Sequence, residues 1–337
     1  MRVCVVILNW NGWADTIACL ESVFRLEHAP ATVVVCDNAS SDDSLSHVKR
    51  WAEGRLAAPA ASNPHLCALT NPPVAKPIRC VELSREQAER GAGATPLAPL
   101  VLVRTGANLG FAGGVNVGLR WVLARGEWDS VWLLNNDTLV RPDALTHLVQ
   151  ESERMRHRAM VGSTLLHYDA PEVVQALGGC TFNRWLALAR PLGAGRPAGA
   201  LPDASAVRGR MAYVAGASLL LPVTLLREVG LLSEEYFLYF EEIDLTLRAR
   251  GRYRVAYAPA SVVYHREGKS TGAGRRPAGK SWAADYYHQR GRILVTRKFA
   301  PLALPTVYFG LLVALVRRLA RGQWGRVGMI ARLIRST

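Results

Sequence analysis

Apolar residues along this chain arrive in short unbroken runs that stop abruptly at polar ones. "VCVVIL", residues 3–8, ends at Asn9-Trp10-Asn11-Gly12, and the run that begins "TVVVCDNAS", residues 32–40, ends at Asp37-Asn38. "VWLLNNDTLVRPDAL", residues 131–145, carries four apolar residues into Asn135, Asn136 and Asp137 before a Pro-Asp pair opens a helix. Runs of this length predict buried strands. Between the first two, Ile17, Leu20, Val23 and Phe24 recur at helical spacing from Asp15 to about Leu26, and Asp42 onward again reads as helix. Strand, helix, strand, helix at this spacing predicts βαβ units and a parallel sheet. Ligands of open sheets bind just outside the carboxyl ends of the strands. Asn9, Asp37 and Asn135 to Asp137 fall there.

The rhythm breaks over residues 54–96, rich in Ala and Pro, which read as an insertion with one short hairpin. It returns in "LVLVRTGANLGFAGGVNVGLRWVLARG", 100–126, as a strand, a glycine-studded turn and a helix from about Gly114. Residues 193–210 read as a loop, 213–222 as a strand and 223 to about 230 as a short helix.

Composition narrows the picture only in part. Of 337 residues half are apolar and a fifth charged, as in a globular chain with a substantial core. Six cysteines without close pairing, and an N-terminus without a signal-peptide pattern, point to a reduced cytosolic interior. With 41 basic against 27 acidic residues, the net charge of +14 suits phosphate-rich partners: nucleotides, nucleic acid or anionic lipid. The excess sits at one end, since ten basic residues and no acid follow from Arg290 onward.

Candidate chemistry lies in three places. Asp137 is a hard oxygen donor, and Asn135 and Asn136 offer amide oxygens, a set that suits Mg²⁺ or Mn²⁺ together with substrate phosphates. The plainer alternative is a capped turn. In "EEYFLYFEEIDLTLRARG", 234–251, a helix puts Glu241, Asp244, Leu245 and Arg248 on one face, with Arg248 in reach of Asp244. Glu242 then points elsewhere, near aromatic rings that raise a carboxyl pKa and suit a general base. An amphipathic helix with a solvated acidic start is the competing reading. His265 ends the β-branched run in "ASVVYHREGKST" and matters only if the fold brings it to the same ion.

These segments, in order "VVILNWNG", "VVVCDNASSDDS", "ANLGFAGGVNVGL", "VWLLNNDTLVRPDAL", "GASLLLP", "YFLYFEEIDLTLRARG" and "VYHREGKST", resemble inverting family 2 glycosyltransferases of the GT-A fold. The nearest branch is the rhamnosyltransferase-like one that builds bacterial cell-surface polysaccharide. The resemblance covers roughly residues 1–298, apart from 54–96. It implies an α/β fold, a Rossmann-like, mostly parallel central sheet flanked by helices, with a C-terminal helical tail. It further implies that Leu8, Asn9, Trp10 and Asp37 hold the nucleotide base and ribose, with Asn108, Gly110 and Asn116 shaping the rest of that pocket. Asn135, Asn136 and Asp137 match the Asp-x-Asp metal motif, and His265 a second metal-contacting position. Glu242 matches the catalytic base, flanked by Glu241 and Asp244. Glu242 stands where Asp is commoner, only the last residue of the metal motif is a carboxylate, and Arg290-Gly291 stands where relatives carry Arg-Asn. The implied reaction moves rhamnose from dTDP-rhamnose, or alternatively a hexose or galactofuranose from UDP, to a glycan or lipid-linked acceptor.

The tail reads separately. "FAPLALPTVYFGLLVALV", 299–316, holds no charge, but Pro301 and Pro305 leave about a dozen usable helical residues, short of a bilayer span of roughly 20. The next 21 residues set six Arg among apolar side chains, the composition of an amphipathic helix lying on an anionic membrane. A helix packed on the catalytic body is the alternative. The expected location is cytoplasmic, peripheral on the inner face of the cell membrane. The alternative of another class is a basic nucleic-acid- or membrane-binding protein without catalysis, but nucleic acid is not an expected partner, because the arginines form no recognition motif. A nucleotidyltransferase would need a Gly-rich, Arg-containing loop where "NWNGWADT" stands, and a processive synthase would need several long spans.

Overall fold

A computed structural model describes residues 1–93, 97–266 and 281–336. Residues 94–96 of the Ala/Pro-rich segment and 267–271 of the last motif lie outside the described residues. The chain opens β1 (Val3–Asn9), α1 (Trp13–Val23), β2 (Thr32–Asp37), α2 (Ser44–Ala52). It continues β3 (Cys80–Ser84), α3 (Arg85–Glu89), β4 (Leu100–Arg104), α4 (Gly110–Arg125), β5 (Ser130–Asn135), β6 (Thr138–Val140) and α5 (Ala144–Arg154). Next come β7 (Ala159–His167), β8 (Val174–Leu177), β9 (Gly179–Asn183), β10 (Leu188–Pro191), α6 (Ala204–Arg210), β11 (Tyr213–Val214) and β12 (Ser218–Pro222). The remainder is α7 (Val223–Val229), α8 (Glu241–Ala249), β13 (Arg254–His265), α9 (Trp282–Phe299), α10 (Leu304–Ala320) and α11 (Trp324–Ser336).

One ten-stranded sheet runs β3-β4-β2-β1-β5-β12-β7-β13-β6, with β8 beside β7. β3, β4, β2, β1 and β5 are mutually parallel; β12 is antiparallel to both β5 and β7, and β13 runs parallel to β7. The unbroken apolar runs have a physical cause. Helices cover both faces, so alternate residues of one strand enter different cores. Cys4 and Val6 pack with α4 on one face, whereas Val3, Val5 and Ile7 pack with α1 and α2 on the other.

Several elements differ from the sequence reading. Residues 54–96 carry no hairpin among the described residues; β3 adds a parallel edge strand beside β4. α4 begins at Gly110 rather than Gly114. Its glycines serve close approach: a Cβ on Gly114 would lie 2.4 Å from Leu8 Cδ1. The 193–210 loop contains α6, and a turn divides 213–222 into β11 and β12. A small sheet, β10-β9-β11, had no counterpart in the pattern. Pro305 starts α10 instead of shortening it, because a first-turn position has no helical N–H partner to lose. The tail joins the body through a third core, in which Val307, Leu311, Ile330 and Leu333 meet Phe240, Ile243 and Ile293.

Candidate active site

Parallel pairing sets the polar strand ends side by side. Asn9 lies opposite Asp37, and Leu8 opposite Asn135. The buried Asn9 amide donates to Asp37 Oδ1 at 2.8 Å and Ser40 Oγ at 3.1 Å, while its oxygen accepts from Thr16 Oγ1 at 2.8 Å. Asn136 Nδ2 reaches Thr16 Oγ1 at 3.1 Å, and Asp37 Oδ2 accepts the Ser40 N–H at 3.1 Å. Asparagine suits this work because one side chain both donates and accepts, so a buried cluster can satisfy itself. Trp10 stands beside it, 38% exposed, with its indole open to a ligand. Leu8, half-buried under α4, floors the same strand end.

The glycine motif supports this pocket from the other side. Asn38, which sequence reasoning passed over, donates to Asn108 Oδ1 at 3.0 Å and to the Gly110 carbonyl at 3.1 Å. Gly110 has φ +72°, and a Cβ there would come within 2.2 Å of the Phe237 carbonyl, so the position requires glycine. The Phe111 N–H bonds that same carbonyl at 2.7 Å. Asn116 sits apart from the strand-end cluster. Its amide donates to the Leu232 carbonyl at 2.9 Å and Glu234 Oε1 at 2.8 Å, tying α4 to the segment that leads into α8.

Asp137 and His265, distant in sequence, meet because β6 pairs antiparallel with β13, setting Thr138 opposite His265. His265 Nε2 lies 3.3 Å from Asp137 Oδ1 and 3.3 Å from Asn135 Nδ2. On its other side Nδ1 lies 2.8 Å from Gln175 Oε1. An amide oxygen only accepts, so Nδ1 carries a proton and the Nε2 edge faces Asp137. Burial pushes the Asp137 carboxyl up, but His265, the backbone amide and Arg266 outweigh it and hold it below the usual range. Among the described residues no three His, Cys, Asp or Glu converge on one point. One carboxylate and one imidazole nonetheless fit Mg²⁺ or Mn²⁺, which keep most of their shell for water and phosphate.

The acids of α8 divide into two roles. Asp244 is 0% exposed and clamps helices together, accepting from Arg248 at 2.5 Å and from Lys298 of α9 at 2.6 Å. Glu242 faces Gly216, and a Cβ on Gly216 would sit 2.8 Å from Glu242 Oε1. The neighbouring Ala217 carbonyl accepts the Asn135 N–H at 3.1 Å, so the Gly216-Ala217 segment that Glu242 faces is tied to the end of β5. Burial raises the carboxyl pKa of Glu242, and burial together with Glu242 raises that of Glu241 well above the ordinary value. Each carboxyl keeps one buried oxygen, Oε2, outside any hydrogen bond. Tyr239 and Phe240, just before α8, hold φ of +67° and +74°, a strained turn that aims the helix. Sequence reasoning missed Thr16, Asn38, Gln175 and Gly216, each a single residue whose partners are remote in the chain.

The profile of the family described as glycosyltransferase-like family 2 matches residues 80–284. S. aureus TarS 1-349 in complex with UDP-GlcNAc is similar at 15% identity and a TM-score of 0.50, over 87% of this chain and 66% of that one. TarS 1-349 alone gives 14% identity and a TM-score of 0.49, over 87% and 65%. This chain therefore spans just under two thirds of the TarS fragment. No curated protein matches the sequence. The UDP-GlcNAc complex shows likeness of fold, the GT-A-like arrangement of a mostly parallel sheet flanked by helices with a helical C-terminal region.

Proposed function

The chain belongs to the glycosyltransferase-like family 2, and we propose that it moves a sugar from a nucleotide donor to a glycan or lipid-linked acceptor with inversion. The observation that carries this reading is the Asp137–His265 pair set beside the buried Asn9–Asp37 cluster at the strand ends, with Glu242 against the Gly216-Ala217 segment that is tied to Asn135. Asn9, Asp37 and Trp10 take the base and ribose. A divalent cation held by Asp137 and His265 would supply neutralisation of the departing diphosphate's charge. Glu242 takes the acceptor hydroxyl proton as that oxygen attacks the anomeric carbon from the face opposite the leaving group. The bond from anomeric carbon to phosphate oxygen breaks, and the nucleoside diphosphate leaves with the electron pair. The raised pKa of Glu242 makes it a stronger proton acceptor than an exposed glutamate.

dTDP-rhamnose is the donor we assign, for bacterial cell-surface polysaccharide. UDP-linked sugars are the second class to test, since TarS of the same fold was crystallised with UDP-GlcNAc. Catalysis occupies residues 1–298, and the tail, 299–337, places the enzyme on the inner face of the cell membrane, where a lipid-linked acceptor lies. Supporting this, the apolar stretch Pro301–Ala320 is largely exposed, with only 17% of its most apolar part buried. A thermal-shift panel of dTDP, UDP and GDP, each with and without Mn²⁺, tests the donor site, because a ligand of the native state raises the midpoint. A Mn²⁺-dependent shift with dTDP is expected. A UDP preference moves the donor; no shift with any nucleotide overturns the transferase reading.

A further inference from the structure

Among the described residues, large exposed hydrophobic side chains are not scattered. Seven of twelve lie between Leu302 and Trp324, and three more are Trp185, Leu186 and Leu188, at the tip and on the outgoing strand of the β9–β10 hairpin. Single exposed apolar residues need no explanation, but a clustered set marks a contact surface. On α10 the exposed set is a stripe: Phe309, Leu312, Val313 and Val316 point out, while Val307 and Leu311 point into the third core.

The hairpin tip is fastened to the end of that stripe. The Thr306 hydroxyl, on the outer side of α10, donates to the Trp185 carbonyl, and Arg292 Nη2 donates to the Leu186 carbonyl at 2.9 Å. Asn183 Oδ1 accepts the N–H groups of Trp185 and Leu186 at 2.9 and 3.1 Å, which rigidifies the turn. Ala187 is fully buried and anchors the tip, yet Trp185 remains 49% exposed. Ordering a turn around an outward indole leaves apolar surface in water unless something covers it.

Resting on the membrane reading of the tail, we infer that the Trp185–Leu188 segment and the outer stripe of α10 form one composite face that docks on an anionic lipid bilayer. The flanking charges agree. Arg184, whose guanidinium lies over the Trp185 ring at 5.6 Å, and the exposed Arg190, Arg317 and Arg321 border the face, and no acid follows Asp285 in the sequence. A tryptophan beside basic residues suits the headgroup boundary, where its ring meets acyl chains and its N–H meets water.

The test uses the full chain with phosphatidylcholine vesicles, with and without phosphatidylglycerol. The wild type pellets with the anionic vesicles, and Trp185→Ser combined with Leu188→Ser lowers the partition coefficient roughly tenfold or more by removing apolar area from the contact. If the wild type stays in solution, the tail reading fails and the composite face with it. If both proteins pellet equally, the composite face is overturned while the tail reading stands. If the double variant fails to fold, brominated-lipid quenching of the wild type against Trp185→Phe decides: greater quenching in the wild type is expected, and equal quenching overturns the proposal. A wild-type dimer that these substitutions split, without vesicle binding, assigns the face to a second copy and also overturns it.

Discussion

The carboxyl ends of the strands and the C-terminal end of the chain break the usual division of residues between core and surface in opposite ways. At the strand ends Asn9, Asp37, Asn136 and Asp137 are polar and buried. Along α10, Phe309 and Val316 are apolar and exposed. Burying polar groups without partners costs several kcal/mol, on the order of 2–7 by transfer. The strand ends offset that cost locally, through the bonds linking Asn9, Thr16, Asp37, Ser40 and Asn136. Among the described residues the stripe on α10 has no comparable compensation, although its opposite side is well packed. A self-satisfied polar cluster is a preorganised site, while an uncovered apolar stripe implies a surface that arrives from outside.

The sharpest way to break the comparison is at Glu242, whose carboxyl the fold holds against Gly216. Glu242→Gln should lower kcat by roughly 10²- to 10⁴-fold, the usual worth of a general base, with circular dichroism unchanged. Near-wild-type turnover would remove Glu242 from the chemistry. Asp137→Asn should cost on the order of 10²- to 10³-fold and abolish the extra thermal shift that Mn²⁺ gives with nucleotide. Full turnover with unaltered metal dependence would show that no ion sits on Asp137. Gln175→Leu takes away the acceptor that orients His265. Apparent Mn²⁺ affinity in the same thermal assay should weaken by about 10- to 100-fold, and an unchanged affinity would leave Gln175 a packing residue.

Much of the sheet could be read directly, because strands covered on both faces are apolar at every position and their ends show as sudden polar clusters. β1, β2 and β5 are of this kind. The meeting of Asp137 with His265 could not be read so, since it depends on a pairing between β6 and β13 that involves three residue pairs. β3 escaped because an edge strand is half-buried and its pattern weak. α4 was started late because glycine disfavours helix interiors, whereas here Gly114 and Gly118 admit β1 and β2 side chains at close range. The β9–β10 hairpin escaped for the opposite reason: "FNRWLALARP" places its large apolar residues in water, so no burial pattern marks it.

The tail end of the comparison calls for point substitutions rather than truncation. Removing residues 299–337 would strip Val307, Leu311 and Ile330 from the core they share with Phe240 and Ile243, so loss of solubility or activity would follow from damage to the body alone. Phe309→Asp with Val316→Asp alters only the outer stripe. Surface changes of this sort shift stability within about 0.5 kcal/mol, so turnover on a water-soluble acceptor should persist while vesicle binding falls at least about tenfold. Retained binding would show that the stripe faces something other than lipid.

The smallest expected effect concerns Glu241, buried beside Glu242 with its pKa raised by burial and by that neighbour. A carboxyl whose folded pKa lies above its unfolded one binds its proton more tightly in the native state. Stability is therefore highest below the ordinary glutamate value and declines as pH climbs through the interval up to the raised value. Glu241→Gln mimics the protonated form and escapes that decline. The variant should melt with the wild type near pH 4 and above it near pH 8, a difference read by thermal denaturation across that range. A gap of the same size at both ends would mean that Glu241 does not titrate with folding, and that the raised pKa of the α8 acids rests on Glu242 alone.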